Sequence, residues 1–285
     1  MEGLARLQKL DRRWIYLILV VLISWPLFKP IGLPLRVSPM VKESYEFVES
    51  LPPGSVVVWS VDSGVAVYGE QFPQARVTLE HLAKKPGLKI IIVHFWEQGP
   101  LFFNALSSLL EKSGKKYGED WVDLGYIPGG EPAMAAFADD IYKTVPTDVR
   151  GTPVETLPLM KQVKNAKDIK LWITISAGTP GIPEYARQIQ SRYKVPFIAG
   201  VLSQFATIYM PYMNSKQLVG MLGGLRAAAE YEKLLGTSGI AVKAVDALSN
   251  AHLVIIAFVL LAISDLCTRP GIGCHYGRRP GGRRE

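Results

Sequence analysis

Cysteine is nearly absent from this chain of 285 residues. Its only two copies, Cys267 and Cys274, stand close to the carboxyl terminus. The whole central stretch lacks thiols, so it holds no internal disulfide and no thiolate metal site. Charge is also scarce where a nucleic-acid face would need it. The formal net charge is +7, but residues 29–250 contribute only +2, from 23 basic and 21 acidic side chains. The excess sits at the ends, +2 over residues 1–13 and +4 over residues 268–285. A near-neutral body offers no basic stripe for phosphates, and no nucleic-acid partner is expected.

The nucleotide and hydrolase signatures are missing too. There is no G-x-x-x-x-G-K-[ST], and the first strand runs into Asp-Ser-Gly-Val-Ala-Val-Tyr-Gly in place of G-x-G-x-x-G. Neither G-x-S-x-G nor H-E-x-x-H occurs. Of four histidines, only His94 falls at an expected strand end. No metal and no cofactor is expected, and no catalytic set is recognisable.

Two oily runs are present instead. Trp14 to Phe28 holds no charge and is framed by Arg12, Arg13 and Lys29. At ~1.5 Å per residue it measures ~22 Å, short of a ~30 Å hydrocarbon core. The apolar continuation to Leu35 and snorkelling of the flanking cations make up the difference. Trp14, Tyr16 and Trp25 suit the membrane interface. No small-residue cleavage site follows, which favours an uncleaved anchor over a signal peptide. The second run, Ala251 to Cys267, has Asp265 as its only acid, and residues 240–250 before it read as an amphipathic surface segment. Nine Arg/Lys flank the outer ends of the runs, against Lys29, Arg36, Lys42 and Lys243 on the inner side. The positive-inside bias then places both termini in the cytoplasm and the domain outside the cell (inner) membrane.

The expected organisation is a cytoplasmic tail (1–13), a first span (14–35), an α/β domain (36–250), a second span (251–267) and a basic tail (268–285). Within the domain, short β-branched runs alternate with helical periods. Strands are predicted at 55–61, 89–96, 120–127, 170–177 and 196–203, with helices at 74–85, 100–113, 131–143, 182–193 and 215–235. Runs apolar on every position suit strands buried on both faces. The fold class is therefore α/β: a doubly wound, mostly parallel, Rossmann-like sheet of about five strands, with one transmembrane helix at each end. Residues 144–169 interrupt the rhythm and predict an excursion over the sheet edge, over the cleft, or into a subunit contact.

Ligands of open parallel sheets bind beyond the carboxyl ends of the strands. The candidates for a small polar ligand there are Asp62, Ser63, His94, Glu97, Gly129, Gly130, Glu131, Ser176, Gly178, Thr179, Ser203 and Gln204. Each has a plain structural alternative. Asp62 caps a turn as readily as it holds a hydroxyl. His94, with Glu97 three residues on, reads as a metal or proton site or as a hydrogen-bonded structural histidine. Glu131 in Pro-Gly-Gly-Glu meets a helix dipole. Thr179 in Ser-Ala-Gly-Thr-Pro-Gly reads as an N-cap with Pro180 at the first helical position. An interface is expected at the loop residues Tyr209, Met210 and Tyr212, and at Gly220, Gly223 and Gly224 of the last helix. Several glycines in one helix call for close packing, against the domain's own sheet or a second subunit.

The segments DLGYIPGGE, ISAGTPG and QLVGMLGGLRAAAEYE resemble an uncharacterised prokaryotic membrane protein family with two terminal transmembrane helices around a Rossmann-like domain. The resemblance covers nearly the whole chain except the Arg-rich tail. It implies the architecture and contributes no catalytic residues. The function expected is a non-enzymatic membrane-anchored scaffold or receptor, a homo-oligomer or subunit of a membrane complex. The alternative is a hydrolase or transferase at the membrane face, working through Asp62, His94, Glu97 and Glu131.

Overall fold

The computed structural model describes residues 12–29, 31, 32 and 34–268. Most of both expected tails, Cys274, Pro30, Leu33 and the side chains of Asp265 and Cys267 lie outside the described residues. The chain divides into two compact units, Leu33–Val242 and the paired terminal segments Met1–Gly32 and Lys243–Glu285.

The larger unit is an α/β domain. Its elements run α2 (Pro39–Ser50), β1 (Val56–Asp62), α3 (Tyr68–Lys84), β2 (Lys89–His94), α4 (Gly99–Leu106), α5 (Ser108–Lys112) and β3 (Trp121–Tyr126). Then come α6 (Gly130–Asp139), α7 (Ile141–Thr144), β4 (Leu171–Ser176), α8 (Ile182–Tyr185), β5 (Phe197–Val201), α9 (Ser203–Asn214), β6 (Leu218–Gly223) and α10 (Gly224–Leu234). The six strands lie in the order β3-β2-β1-β4-β5-β6, and every pairing is parallel. β1, β4 and β5 are buried along their whole length, as continuous apolar runs such as Val56-Val57-Val58-Trp59 require when helices cover both faces. On one face, Trp172 packs edge-on to Phe137 and Tyr185, with ring centroids 6.0 and 5.7 Å apart. On the other face, Trp59 lies beneath α3 and donates from Nε1 to Thr78 Oγ1 at 3.1 Å.

The sheet is Rossmann-like, but it has six strands rather than five. The expected helix over 215–235 is two elements: Leu218–Gly223 pairs with β5, and the helix begins only at Gly224. Six apolar residues are too few for periodicity to separate strand from helix. The glycines decide it by fit. A Cβ on Gly220 would stand 2.1 Å from Ser44 Oγ and 2.6 Å from Ser44 Cα, so α2 rests directly on β6. Tyr209, Met210 and Tyr212 lie on helix α9, not in a loop. The expected helix over 100–113 is α4 and α5, meeting at Ser107. The helix begun by α8 continues as a π stretch, Ala186–Ser191.

The segment from residue 144 to 169 closes the β3 edge. Val149 N donates to Asp123 O at 3.1 Å, and Leu159 N donates to Gly118 O at 2.9 Å. Its Val154, Leu159, Met160, Val163 and Ala166 are buried in the core. Arg150 caps the join with its guanidinium 3.4 Å from the Tyr117 ring centroid, while Tyr117 Oη donates to Asp148 at 2.7 Å.

The smaller unit contains α1 (Arg12–Phe28) and most of α11 (Ile240–Thr268). Asp246 Oδ2 accepts from Ile31 N at 2.8 Å and Gly32 N at 2.9 Å, and Asn250 Nδ2 donates to Leu22 O at 3.1 Å. Residue numbers rise along one segment as they fall along the other, so the two run antiparallel. Among the described residues one helix is long and apolar enough to cross a bilayer, Ile240–Leu260 of α11, with 17% of its apolar window buried. The expected span at the other end falls short: α1 stops at Phe28, and its apolar stretch, Tyr16–Phe28, is shorter than a bilayer crossing. The segment from 240 to 250 is continuous with the helix that follows it, rather than a separate surface element.

Candidate functional site

Strand order reverses direction between β1 and β4, and in folds of this topology that point opens a crevice at the carboxyl ends of the strands. The loops after β1 (63–67) and β4 (177–181) flank it. Trp96, from the loop after β2, reaches across: its Nε1 lies 3.8 Å from where a Gly64 Cβ would stand, and its ring 3.9 Å from a Gly178 Cβ. Gln98 accompanies it, accepting from Val65 N at 2.8 Å. An indole of the protein itself thus lies over the switch point.

Side chains alternate across a strand, so neighbouring positions on β1 face opposite layers. Asp62 faces α8. Its Oδ1 accepts from Phe95 N at 2.6 Å; its Oδ2 accepts a short hydrogen bond from Tyr185 Oη and a longer one from Thr174 Oγ1 at 3.4 Å. Tyr185 Oη also bonds Ser60 Oγ at 2.9 Å, which lies 3.4 Å from Trp172 Nε1. Burial pushes the Asp62 carboxyl up to about 6 against the pull of these donors, and it drives the Tyr185 phenol well above its usual range. The network ties β1, β2, β4 and α8 together with every carboxylate oxygen engaged.

His94 lies on the opposite face. Its ring stands edge-on to Trp59 at 6.1 Å, and its Nδ1 is 3.1 Å from both the N and the O of Val61. Burial lowers its pKa to about 3, so the imidazole is neutral. Ser63 Oγ bonds Gln71 Oε1 on this side, and Gln74 Nε2 donates to Val201 O at 3.0 Å. Glu70 Oε1 accepts from Ser203 N at 2.6 Å.

The remaining candidates are held apart from these. Glu131 accepts from Arg187 Nη2 at 2.9 Å and Gln188 Nε2 at 2.9 Å, so it joins α6 to the helix after β4. Those partners hold its carboxyl below the usual range. Gly129 and Gly130 form the turn before it with φ of +116° and +58°, conformations a side chain would strain. Ser176 Oγ donates to Pro180 O at 2.8 Å and closes its own loop. Thr179 is exposed and is not the N-cap: Gly181 takes that place, its N–H donating to Glu184 Oε2 at 2.8 Å. Glu97, Gly178, Ser203 and Gln204 are exposed at the rim. Of the interface candidates, Gly220 lies against Ser44; a Cβ on Gly223 would stand 2.9 Å from Ala206 Cβ, and one on Gly224 2.7 Å from Ser203 Cβ. These three close approaches fall inside the domain.

No hydrogen bond or ion pair joins any two of Asp62, His94, Glu97 and Glu131 among the described residues. Asp62 and His94 face opposite sides of the sheet, and both are fully buried. No group of three or more His, Cys, Asp or Glu side chains that could hold a metal ion exists among the described residues.

Sequence reasoning missed Trp96, Tyr185, Gln71, Gln74 and Glu70. The three helical residues on α3 and the tyrosine on α8 carry no motif. A polar residue on the buried stripe of α3 was the available signal for the two glutamines. Five buried polar side-chain atoms have no partner among the described residues, and four of them, Gln71 Nε2, Gln74 Oε1, His94 Nε2 and Trp96 Nε1, lie toward the carboxyl ends of the strands. Trp121 Nε1, at the start of β3, is the fifth.

No protein-family model matches the chain, and no curated protein matches it.

Proposed function

We propose that the chain is a membrane-anchored docking protein of scaffold or receptor type, whose α/β domain assembles with further copies of itself or with a partner complex. The observation that carries this reading is the contrast between the two units' apolar surfaces. The α/β domain encloses its own core, whereas α11 leaves Leu253, Ile256, Val259 and Leu260 more than half exposed. A bare apolar helix of that length is costly in water at ~25 cal/mol per Å² and stable in lipid. The antiparallel run of α1 beside α11 supports both segments entering one bilayer with their outer ends on the same side, the shorter α1 making up its length by snorkelling of Arg13 and Lys29. Together with the flanking arginines, it favours cytoplasmic termini and an extracytoplasmic domain in the cell membrane.

A small polar ligand at the carboxyl ends of the strands belongs to the same reading. Its support is the four unpartnered buried atoms there, since such groups are usually satisfied by water or a ligand. Nothing in the geometry favours the hydrolase or transferase alternative.

Carbonate washing of native membranes followed by detergent extraction tests the anchor. The chain is expected to stay with the membrane until detergent is added. Release into the aqueous wash would refute the anchored reading.

A further inference from the structure

We propose that the face of the α/β domain at the amino ends of its strands, with Lys161, Lys164, Lys167 and Lys170 along it, docks on anionic lipid headgroups. This rests on the anchored reading above and adds a second contact with the same bilayer, made by the domain itself.

The small net charge of residues 29–250 conceals an uneven distribution. Lys85, Lys115, Lys170, Lys194 and Lys216 stand in the connections that lead into β2, β3, β4, β5 and β6 in turn. The short connections that leave the carboxyl ends of β1 to β5 hold no Lys or Arg, and Glu97 is their one acid. Because every strand pairing is parallel, the two ends of the sheet are opposite faces of the domain. One is rich in lysine and the other is nearly uncharged.

The densest part of the basic face is KQVKNAKDIK, residues 161–170. Val163, Ala166 and Ile169 are buried there at 3% exposure or less, while the four lysines on the same three-residue period are all exposed. None of the four makes an ion pair among the described residues. Lys170 N donates to Val56 O at 2.9 Å and Trp172 N to Pro196 O at 3.0 Å, so Lys170 and the exposed Lys194 lead into adjacent strands. The acids close by are Asp140, Glu155 and Asp168, which all act on Tyr142 beside Met160. Asp140 accepts from Lys143 N at 3.1 Å and Asp168 from Lys164 N at 2.9 Å, so both turn toward backbone. With Lys143 and Lys194 included, six lysines against these three acids leave +3.

The path of the chain identifies the occupant. His81, near the end of α3, bonds Tyr231 Oη at 2.7 Å, and a Cβ on Gly224 would stand 2.6 Å from Glu70 Oε1, near the start of α3. α10 therefore runs alongside α3 and ends with it at the amino-end face. There Lys233 Nζ donates to Leu35 O at 2.9 Å, and Glu232 accepts from Val242 N at 2.9 Å. The chain thus enters and leaves the domain at its basic end. A bilayer holding the anchor segments is reached within a few residues of that end, and the charge it offers is headgroup phosphate. Each lysine near an anionic surface contributes ~5-fold in affinity, so two seated lysines favour the docked domain ~25-fold. The stripe is distant in sequence from both apolar runs and does not enter the flank count that places the domain outside.

The test uses the full chain in lipid nanodiscs, with Cys267 and Cys274 replaced by serine. A fluorophore on Gln162→Cys reports distance to an acceptor carried on lipid headgroups, and one on Thr179→Cys reports the opposite face. Energy transfer from position 162 is expected to be higher in phosphatidylglycerol-rich discs than in phosphatidylcholine discs. It should return to the phosphatidylcholine value in ~1 M salt, where charges are screened beyond ~3 Å. The same return is expected when Lys161, Lys164, Lys167 and Lys170 are all changed to glutamine, with circular dichroism checking that this variant is folded. A chain that does not enter the discs overturns the anchored reading and this proposal with it. A chain that enters but gives equal transfer from position 162 in both lipids overturns this face alone, and binding of a nucleic acid or acidic protein would then account for the stripe. Stronger transfer from position 179 than from 162 overturns the orientation, and a lipid dependence that survives the four glutamines overturns the assignment to these lysines.

Discussion

Replacing Asp62 with asparagine is expected to stabilise the α/β domain at neutral pH. Burial raises the carboxyl from 3.8 to about 6, a change worth ~3 kcal/mol at ~1.4 kcal/mol per pH unit. A raised acid stabilises the fold below its unfolded pKa of 3.8, and that contribution is lost as pH rises through 6. At neutral pH the wild type therefore carries an ionised carboxylate in a dry site with only neutral donors around it. Asparagine keeps the geometry: its oxygen accepts from Phe95 N, and its amide donates to Tyr185 Oη, which turns its own proton toward Ser60. His94 acts in the opposite sense. Its pKa falls from 6.5 to about 3, so its contribution is present above 6.5 and is lost as pH falls toward 3. In the wild type the two slopes oppose each other between these limits. In Asp62→Asn the histidine slope stands alone, and stability falls more steeply on acidification. Thermal unfolding of the detergent-solubilised chain should show an advantage of up to ~3 kcal/mol near pH 7.5, shrinking to below ~1 kcal/mol near pH 4. A variant less stable than wild type near pH 7.5 would refute the reasoning, and would show that the fold itself depends on the ionised carboxylate.

Gly220→Ala should destabilise the domain by ~1–3 kcal/mol or more, because the new methyl meets Ser44 Cα, and Ser44→Gly in the same chain should recover part of the loss; additive losses by the same unfolding assay would contradict the contact. Glu131→Gln should change stability by less than ~1 kcal/mol, since its partner Arg187 is half-exposed. A loss above ~2 kcal/mol would mean that this pair does more than join two helices.

The site and the fold were legible to different depths. Asp62, His94 and Ser176 could be placed at strand ends because strand ends follow from the apolar runs themselves. Their directions could not, because a single step along any strand turns a side chain from one layer to the other. Only the packed structure separates Asp62, beside Tyr185, from His94, beside Trp59. Glu131 shows the same limit: an acid after two glycines is visible in sequence, while its partner Arg187 comes from another helix 56 residues on. Trp96 had no local mark, since what singles it out is its reach across two loops that are distant in sequence.

What the sequence determined by itself is the layered α/β plan: every-position apolar runs demand burial on both faces, and crossover helices between parallel strands provide it. The long apolar stretch near the carboxyl terminus was equally plain, because length and absence of charge are local properties. Tertiary structure decided the sixth strand, the closed β3 edge and the division of polar groups between two faces. Each of these depends on contacts between residues far apart in the chain, as when Gly220 finds Ser44 and Val149 finds Asp123, and no local period encodes such meetings.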